Sequence, residues 1–352
     1  MIANTKDKDL LIDEWKKLRE LDPSLRIRDC AERLNVSEAE LLYSCSHDRI
    51  PGFPFSVRLI PNWTDLLKGF QHLGKIMSLT RNDSCVHERQ GYFENVKIDG
   101  PTALVIGPDI DLRIFLRSWK YLFAVEEEKN GSTLYSFQIF DEFGTAIQKV
   151  YLKDESKLDD WKRLRDHLLP SEKIPFEISK QISETKKEAP INPSDRNDFL
   201  EAWSKLEDSH EFFPLLRKFN ISRIQSMKIG EGRFTVPSAP ESVLGILKKA
   251  AERQVPIMAF VGNPGCIQIH TGTVQNIKVI GSWWNVMDPD FNLHLRSDKI
   301  SEVWKVIKPS KDGPIHSVEV YDSTGEMIVQ FFGKRKPGVP ERMDWKELLS
   351  GE

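Results

Sequence analysis

Residues 76–100 read IMSLTRNDSCVHERQGYFENVKIDG, and residues 257–281 read IMAFVGNPGCIQIHTGTVQNIKVIG. The second stretch follows the first at a constant shift of 181 positions, and the gapless correspondence continues to residues 153 and 334. The residues that agree include glycines, prolines and asparagines, which fix backbone geometry at turns. The chain therefore contains one fold twice. Positions at which the two copies differ are then candidates for chemistry.

The composition is that of an ordinary globular protein of about two domains. A formal charge of −3 on 352 residues gives no general attraction to nucleic acid or to an anionic membrane. No apolar run is long enough to cross a bilayer, and the N-terminal segment lacks the apolar core of a signal peptide. The four cysteines have no metal-ligand spacing, and Cys85 and Cys266 are repeat-equivalent, so each is expected to fill the same core position. We therefore expect a reduced, cytoplasmic protein.

Helical and strand-like patterns alternate along the chain in large blocks. Residues 8–43 show helical spacing with a break at Pro23 and a capping box at Ser37–Glu40. From about Gly74 to Tyr151 short apolar runs alternate with turn residues, as in a strand meander. The turns KNGS (129–132) and DEFG (141–144) predict hairpin connections.

The same order recurs in the second half, with helices predicted over 198–253 and strands over 255–334. We place an N-terminal repeat at 1–170, a polar, proline-punctuated linker at 171–197 and a C-terminal repeat at 198–352. Because helices and strands are segregated, the chain predicts an α+β fold. Each half is expected to form a large antiparallel β-sheet with flanking helices.

The common enzyme motifs are missing from this sequence. It contains no P-loop, no GxGxxG after a strand, no HExxH and no GxSxG. Functional interpretation therefore depends on single residues.

His210 is the first of these residues. Trp203, Leu206, His210 and Phe213 follow three- and four-residue spacing, which predicts one inward-facing side of a helix. A neutral imidazole there can bind iron or zinc, although a hydrogen-bonded core or boundary histidine is the commoner outcome of such spacing. Pro214 predicts that the helix starts or kinks at this point. The first repeat has no histidine in the matching region.

Arg113 is the second candidate, in the middle of the predicted strand DLRIF. Alternation places it on the face opposite Leu112 and Ile114, and the second repeat has His294 at this position. An arginine on a strand is usually solvated, whereas one in a cleft can bind an anion. Basic residues of the second half could converge on carboxylates or phosphates in the same way. They are Arg217, Lys218, Arg223, Lys305, Lys308, Lys311, Lys334, Arg335 and Lys336.

Over nearly its whole length the chain resembles the bacterial hemin-degrading factor family, the HemS/ChuS-type cytoplasmic heme proteins. The stretches that carry the resemblance are LTRNDSCVHERQG (79–91), DLRIF (111–115), DSHEFFPLLRK (208–218), GNPGCIQIHTG (262–272), NVMDPDFNLHLR (285–296) and FFGKRKPGVPE (331–341).

The resemblance implies one heme b bound between the two repeats. His210 is then the proximal iron ligand and Arg113 the distal residue. The porphyrin itself is the substrate, so no protein nucleophile is required. The resemblance assigns further positions to the pocket walls, the propionates or the distal side. They are Phe115, Arg223, Phe260, Lys308, Gln330, Phe332 and Arg335, and some relatives carry tyrosine at the position of Phe332.

Two functions follow from the resemblance. One is oxidative degradation of heme to release iron, which needs an external electron donor such as a reductase. The other is trafficking or storage of heme received from an inner-membrane ABC importer and passed on to a heme oxygenase. A nucleic-acid-binding scaffold is disfavoured by the mildly negative charge and the lack of a basic stripe. Neither a nucleic-acid partner nor membrane insertion is expected.

Overall fold

The computed structural model describes residues 8–172, 174–180, 192–336 and 338–350. In this part of the chain the helices are α1 Lys8–Leu21, α2 Ile27–Leu34, α3 Glu38–Ser44, α4 Trp63–Phe70, α5 Leu158–His167, α6 Pro193–Ser204, α7 Phe212–Lys218, α8 Arg223–Ile229, α9 Ser242–Glu252 and α10 Met343–Ser350. Within these residues, none of the helices combines the length and the apolar character needed to cross a membrane.

The strands of the N-terminal half are β1 Phe55–Leu59, β2 Ile76–Arg81, β3 Cys85–Gly91, β4 Lys97–Asp99, β5 Thr102–Ile106, β6 Asp111–Phe115, β7 Tyr121–Lys129, β8 Ser132–Phe140 and β9 Ala146–Leu152. Those of the C-terminal half are β10 Thr235–Ser238, β11 Ile257–Asn263, β12 Cys266–Gly272, β13 Ile277–Ile280, β14 Trp283–Met287, β15 Phe291–Arg296, β16 Glu302–Lys308, β17 Ile315–Tyr321 and β18 Met327–Gly333.

The strands form two nine-stranded sheets. Their strand orders are β1-β7-β8-β9-β2-β3-β15-β14-β13 and β10-β16-β17-β18-β11-β12-β6-β5-β4. The registered pairs within these sheets are antiparallel, such as β7 with β8 and β16 with β17. The prediction of an α+β tandem repeat of large antiparallel sheets with flanking helices is therefore confirmed.

The chain forms two compact units, and each unit includes a short segment from the other sequence repeat. Unit 1 comprises the described residues within Met1–Arg81, Glu88–Ser183 and Asn263–Gln268. Unit 2 comprises the described residues within Asn82–His87, Glu184–Gly262 and Ile269–Glu352. Each unit is therefore built from non-contiguous stretches of the chain.

The two repeats share one strand register. Gln138 pairs with Lys149 in unit 1, and Glu319 pairs with Gln330 in unit 2, which is the same pairing shifted by 181. Both pairings are also irregular at the equivalent point, after Ile139 in one repeat and after Val320 in the other. A shared register and a shared bulge mean that equivalent positions point to equivalent faces of the two sheets.

Local signals of the N-terminal half are confirmed. Helix α1 ends before Pro23, α2 ends at Asn35 in the left-handed conformation (φ 54°), and Ser37 and Glu40 form the capping box of α3. The β7–β8 turn has positive φ at Asn130 (52°) and Gly131 (79°), as a tight hairpin requires.

The predicted polar linker and the predicted helical region 198–253 both contain structure that the sequence patterns did not predict. In the predicted linker, Phe176 and Ile178 are buried in an aromatic cluster with Tyr121, and α6 already begins at Pro193. Apolar side chains two residues apart can pack on a neighbouring surface even in a polar segment. Residues 173 and 181–191 of that stretch lie outside the described residues. The predicted helical region 198–253 also contains the strand β10, which pairs with β16.

Each unit has its own apolar core beneath one face of its strands. In unit 1 the core lies against α4 and α5, and in unit 2 it lies against α9 and α10. Cys266 belongs to the core of unit 1 and Cys85 to that of unit 2, so the predicted shared core position is confirmed. Both thiols are buried, which is consistent with a packing role.

In unit 2, the side-chain amide of Asn82 joins three strands. Its Nδ2 donates to the carbonyl oxygens of Gly262 (3.2 Å) in β11 and Ile328 (2.8 Å) in β18. Its Oδ1 accepts from the backbone N–H groups of Ser84 (3.0 Å) and Cys85 (2.8 Å), where β3 starts. One amide thus fixes the start of β3 against two strands of the other sequence repeat.

In unit 1, Asn263 makes the equivalent four hydrogen bonds. Its Nδ2 donates to the carbonyl oxygens of Arg81 (2.9 Å) in β2 and Ile147 (2.8 Å) in β9. Its Oδ1 accepts from the backbone N–H groups of Gly265 and Cys266, both at 2.9 Å. Every partner is the partner of Asn82 shifted by 181 positions. We call these two residues the asparagine braces.

We expect Asn263→Ala to lower the free energy of unfolding by about 2–4 kcal/mol, because it leaves part-buried backbone groups without their partners. Chemical denaturation followed by circular dichroism measures this change. Asn197→Ala, at an exposed position of α6, is the control and should change stability by less than about 0.5 kcal/mol. Equal effects of the two substitutions would show that the brace has no special role.

Candidate functional site

His210 lies outside the helix that the sequence predicted for it. Helix α6 ends at Ser204, and His210 sits in a 3-10 turn, Ser209–Glu211, with its side chain 90% exposed. Trp203 is buried whereas Phe213 is exposed. The predicted inward-facing helix side shared by Trp203, Leu206, His210 and Phe213 is therefore wrong.

The physical reason is a new capping box at Asp208. The Asp208 carboxylate accepts from the backbone N–H of His210 (2.8 Å), and the Glu211 carboxylate accepts from the backbone N–H of Asp208 (3.2 Å). These bonds begin a new turn instead of continuing α6. Helix α7 then starts at Phe212 with Pro214 in its first turn, which confirms the predicted helix start.

Asp208 also forms a hydrogen bond with one ring nitrogen of His210. Its Oδ1 lies 2.7 Å from His210 Nδ1. Hydrogen bonds from the His210 backbone and ring lower the pKa of the Asp208 carboxyl, although partial burial opposes them. An ionised carboxylate can only accept, so Nδ1 carries the proton of this hydrogen bond, and in the neutral imidazole the lone pair is on Nε2. Nε2 has no hydrogen-bond partner among the described residues, so it is available to a metal.

Glu319, which the sequence analysis did not single out, is the centre of a buried polar cluster. Its side chain is 0% exposed. Arg223 donates two hydrogen bonds to the carboxylate through Nε and Nη2, both at 2.8 Å. Lys308 Nζ and Gln330 Nε2 each donate at 2.6 Å, and the Tyr321 hydroxyl donates at 2.5 Å. We call these five residues the Glu319 cluster. It joins three positions that the resemblance assigned to the heme pocket.

The Glu319 cluster carries an excess of positive charge. Burial alone would raise the pKa of Glu319, but Arg223 and Lys308 hold it well below its usual range. Burial lowers the pKa of Lys308 to about 8 against the attraction of Glu319. At pH 7 two cations therefore face one carboxylate, and the buried net charge is +1. Such a site favours a further anion.

Phe212 connects this cluster with the turn that carries His210. Lys308 Nζ lies 4.9 Å from the centre of the Phe212 ring, and Arg223 Cζ lies 5.6 Å from it. Phe212 follows His210 by two residues, so both cations contact a side chain that adjoins the turn in sequence. The distances are within the range of a cation–π interaction.

Arg335 approaches the same turn from another side. Its positive charge contributes to the lowered pKa of Asp208, and its Nη2 lies 4.0 Å from a carboxylate oxygen of Asp312. The loop before β17 is also tied to the turn, because Lys311 N–H donates to the carbonyl of Glu207 at 2.9 Å. Unit 2 thus gathers the predicted residues of this half around one place.

Phe260 and Phe332 form an apolar wall on the same face of the sheet. Their ring centres are 5.1 Å apart in an edge-to-face arrangement, and both side chains are half-buried. Phe260 is directly opposite Gln330 in the β11–β18 register. Because Gln330 and Phe332 are two residues apart on one strand, they share a face with Phe260. The ring pair therefore adjoins the Glu319 cluster.

Unit 1 carries different side chains at the positions equivalent to those of the Glu319 cluster. Glu38 and Arg223 are each the first helical residue after a serine N-cap. The strand registers equate Glu127 with Lys308, Gln138 with Glu319, and Lys149 with Gln330.

The sign of the charge is reversed between the two sets. In unit 1, Lys149 forms a buried ion pair with Glu38, and Glu127 is a second carboxylate nearby. At the equivalent positions alone, unit 1 has one cation and two carboxylates where unit 2 has two cations and one carboxylate. The two copies therefore share a backbone but present opposite fields to a charged ligand.

Arg113 and Phe115 lie in unit 1. Leu112 and Ile114 are buried while Arg113 is half-exposed, so the predicted alternation is confirmed. Arg113 pairs with the carboxylate of Asp111 and donates to the carbonyl of Leu112 at 3.2 Å. Phe115 is exposed at the end of the strand.

The unit 2 residues fit a flat apolar ligand that carries both a metal and carboxylates. They supply one accessible imidazole nitrogen, a wall of aromatic rings and an excess of buried positive charge, the features that heme binding requires. The described part of the chain has no cluster of three or more His, Cys, Asp or Glu side chains able to hold a bare metal ion. A single imidazole suits a metal whose other ligands come from a macrocycle.

Comparison with known proteins agrees with this description. The haemin-degrading HemS.ChuX domain family matches twice, over residues 35–168 and 220–351. The hemin transport protein HemS of Yersinia enterocolitica is 32% identical over 343 residues, which cover 97% of this chain and 96% of that protein.

Two solved structures share the fold over nearly the full length. The heme-bound form of PhuS, a heme-binding protein from Pseudomonas aeruginosa, has 42% identity and a TM-score of 0.89, covering 97% of this chain and 98% of that one. ChuS, an E. coli heme oxygenase, has 29% identity and a TM-score of 0.84, with the same coverage of both chains.

We expect Glu319→Gln to lower the free energy of unfolding by about 3–5 kcal/mol, because it leaves Arg223 and Lys308 buried without a counter-charge. The measurement is urea denaturation at pH 7. Glu326→Gln removes an exposed carboxylate in the turn between β17 and β18. It should change stability by less than about 0.5 kcal/mol. Unfolding midpoints that coincide for both variants would contradict the proposed centre of the cluster.

Proposed function

This chain belongs to the HemS family of haemin-degrading proteins, and on that premise we propose that it binds one heme and degrades it oxidatively to release iron. The observation that carries the proposal is the accessible Nε2 of His210, whose ring is oriented by Asp208 on a turn that continues into Phe212, a contact of the Glu319 cluster. When bound, heme supplies the iron at which oxygen is activated and the porphyrin that is cleaved.

The residues of unit 2 have separate tasks in this proposal. His210 Nε2 ligates the iron, and Asp208 accepts the Nδ1 proton in a hydrogen bond that fixes the orientation of the ring. Phe260 and Phe332 contact the apolar ring and exclude water from it. The propionates are attracted by the excess positive charge, with Arg223 and Arg335 as its more accessible carriers.

Arg113 is proposed as the distal residue on the strength of the family resemblance. A guanidinium donates hydrogen bonds at every accessible pH, so it can stabilise negative charge that develops on an oxygen ligand. Phe115, two residues further along β6, is proposed as a pocket-lining side chain.

Heme trafficking is the second candidate function. It is supported by the names of two relatives, a hemin transport protein and a heme-binding protein. In this proposal the heme comes from an importer and is passed on to a heme oxygenase. Degradation by this chain itself would use an electron-donating reductase. Both functions use the same site, so turnover decides between them.

For the iron ligand, we expect His210→Ala to shift the Soret band and weaken hemin binding by about 10- to 100-fold, as is typical when a metal site loses a ligand or its support. Titration of hemin followed by absorbance measures both effects. His72→Ala removes an exposed histidine of unit 1 and should leave the spectrum unchanged. An unaltered spectrum and affinity in His210→Ala would refute the ligand assignment.

For the reaction, we expect the hemin complex to lose its Soret band when ascorbate is supplied in the presence of catalase, with release of iron and a linear tetrapyrrole. Arg113→Ala should slow this loss by about 100-fold while changing hemin affinity far less, because the guanidinium acts on the oxygen ligand. A stable Soret band, or decay that catalase abolishes, would favour trafficking. Equal losses of affinity in the Arg113 and His210 variants would contradict their separate roles.

A further inference from the structure

Arg58 is a buried arginine of unit 1 that the proposed heme chemistry does not use. It lies on β1 opposite Phe123 of β7, and only 6% of the residue is exposed. Its guanidinium carbon is 4.8 Å from the ring centre of Tyr121, 5.7 Å from that of Phe123 and 5.9 Å from that of Phe176. The cation is therefore enclosed by aromatic rings.

The guanidinium has almost no polar partner. Its Nη1 donates to the carbonyl of Leu59 at 3.2 Å, and its Nε is buried without a hydrogen-bond partner. No carboxylate in the described part of the chain forms an ion pair with it. Burial lowers the pKa of Arg58 to about 10, against the opposing influence of Tyr121 and Tyr43. Cation–π contacts offset only part of the cost of burying an unpaired charge.

The fold itself does not require a cation at this position. Phe123 and Trp304 are equivalent in the two repeats, and the residue opposite Trp304 is Pro237. The same strand position is thus filled by a proline in unit 2, where the sheet forms equally well. Arg58 is consequently specific to the first repeat.

Arg58 lines a cavity of about 830 Å³ within unit 1. Trp63, Trp119 and Tyr121 contribute aromatic walls, and the two indoles meet edge to face with ring centres 5.2 Å apart. The Trp119 indole is held in place by its hydrogen bond to the carbonyl of Gly265 at 2.9 Å. The cavity therefore has preset apolar surfaces beside an unpaired guanidinium.

The remaining charges on the wall limit the kind of anion. Among the described lining residues, Lys120 and Lys180 add two cations and Glu142 and Glu177 add two carboxylates, so that with Arg58 their net charge is +1. A phosphate with two negative charges would meet the repulsion of both glutamates. A carboxylate carries one charge and matches the fork of the guanidinium.

We propose that this cavity binds a small monocarboxylate with a flat aromatic body. The carboxylate pairs with Arg58, and the ring packs against Trp63, Trp119 and Tyr121. The cavity is distinct from the proposed heme site, because none of its described lining residues is one that we assign to heme.

The test is isothermal titration of the full chain with 2-naphthoate and with 2-naphthamide, which has the same ring without the charge. We expect the acid to bind about tenfold or more tightly than the amide, as a charge-assisted hydrogen bond predicts. Arg58→Met should abolish that preference. Arg163→Met, at an exposed position of α5, is the matched control and should retain it.

Lys120→Met provides a second variant at an exposed wall position, in case Arg58→Met does not fold. It should weaken acid binding by several-fold and leave amide binding unchanged, since it removes charge without altering the aromatic walls. Equal affinity of acid and amide for the native chain would overturn the proposal. So would undiminished acid binding in folded Arg58→Met.

Discussion

The asparagine braces are the constraint on which the rest of the structure depends. In each unit one side-chain amide satisfies two carbonyls and two N–H groups at the point where strands of both sequence repeats meet. A shift of one residue there would turn every following side chain to the other face of the sheet. The Asn82 amide binds Ile328, two residues before Gln330, and so helps to hold the register of the strand that carries Gln330 and Phe332. In a site built on strands, the positions of the side chains are therefore set by the strand register.

Function then depends on side chains that leave this register untouched. The two repeats have the same pairings and the same bulge, but the Glu319 cluster has an excess of positive charge and its counterpart an excess of negative charge. The buried charges of both sets are shielded from water, so salt screens their effect on a ligand only weakly. The turn that carries His210 is attached to the positive copy through Phe212. The proposed iron ligand and the buried positive charge are thus both in unit 2.

Much of the fold could be predicted because glycines, prolines and asparagines report backbone geometry directly. The 181-residue shift, the capping box at Ser37 and the hairpin at Asn130 all depend on local chemistry. His210 was misplaced because helical spacing ignored the competing cap at Asp208, two residues before it. Glu319 was missed because a glutamate in a strand gives no local sign of burial or of its partners. The difference between Gln138 and Glu319 at equivalent positions was the available signal.

The composition of unit 1 has a consequence for how the protein is made. Its last segment, Asn263–Gln268, is encoded far beyond the end of its other residues at Ser183. Ribosomes add about 5–20 residues per second, so several seconds of synthesis separate the two. During that interval the carbonyls of Arg81 and Ile147 lack the hydrogen bonds that Asn263 donates in the folded chain. The nascent N-terminal half therefore remains an unfinished sheet, exposed to chaperones and proteases, until Asn263–Gln268 has left the ribosome.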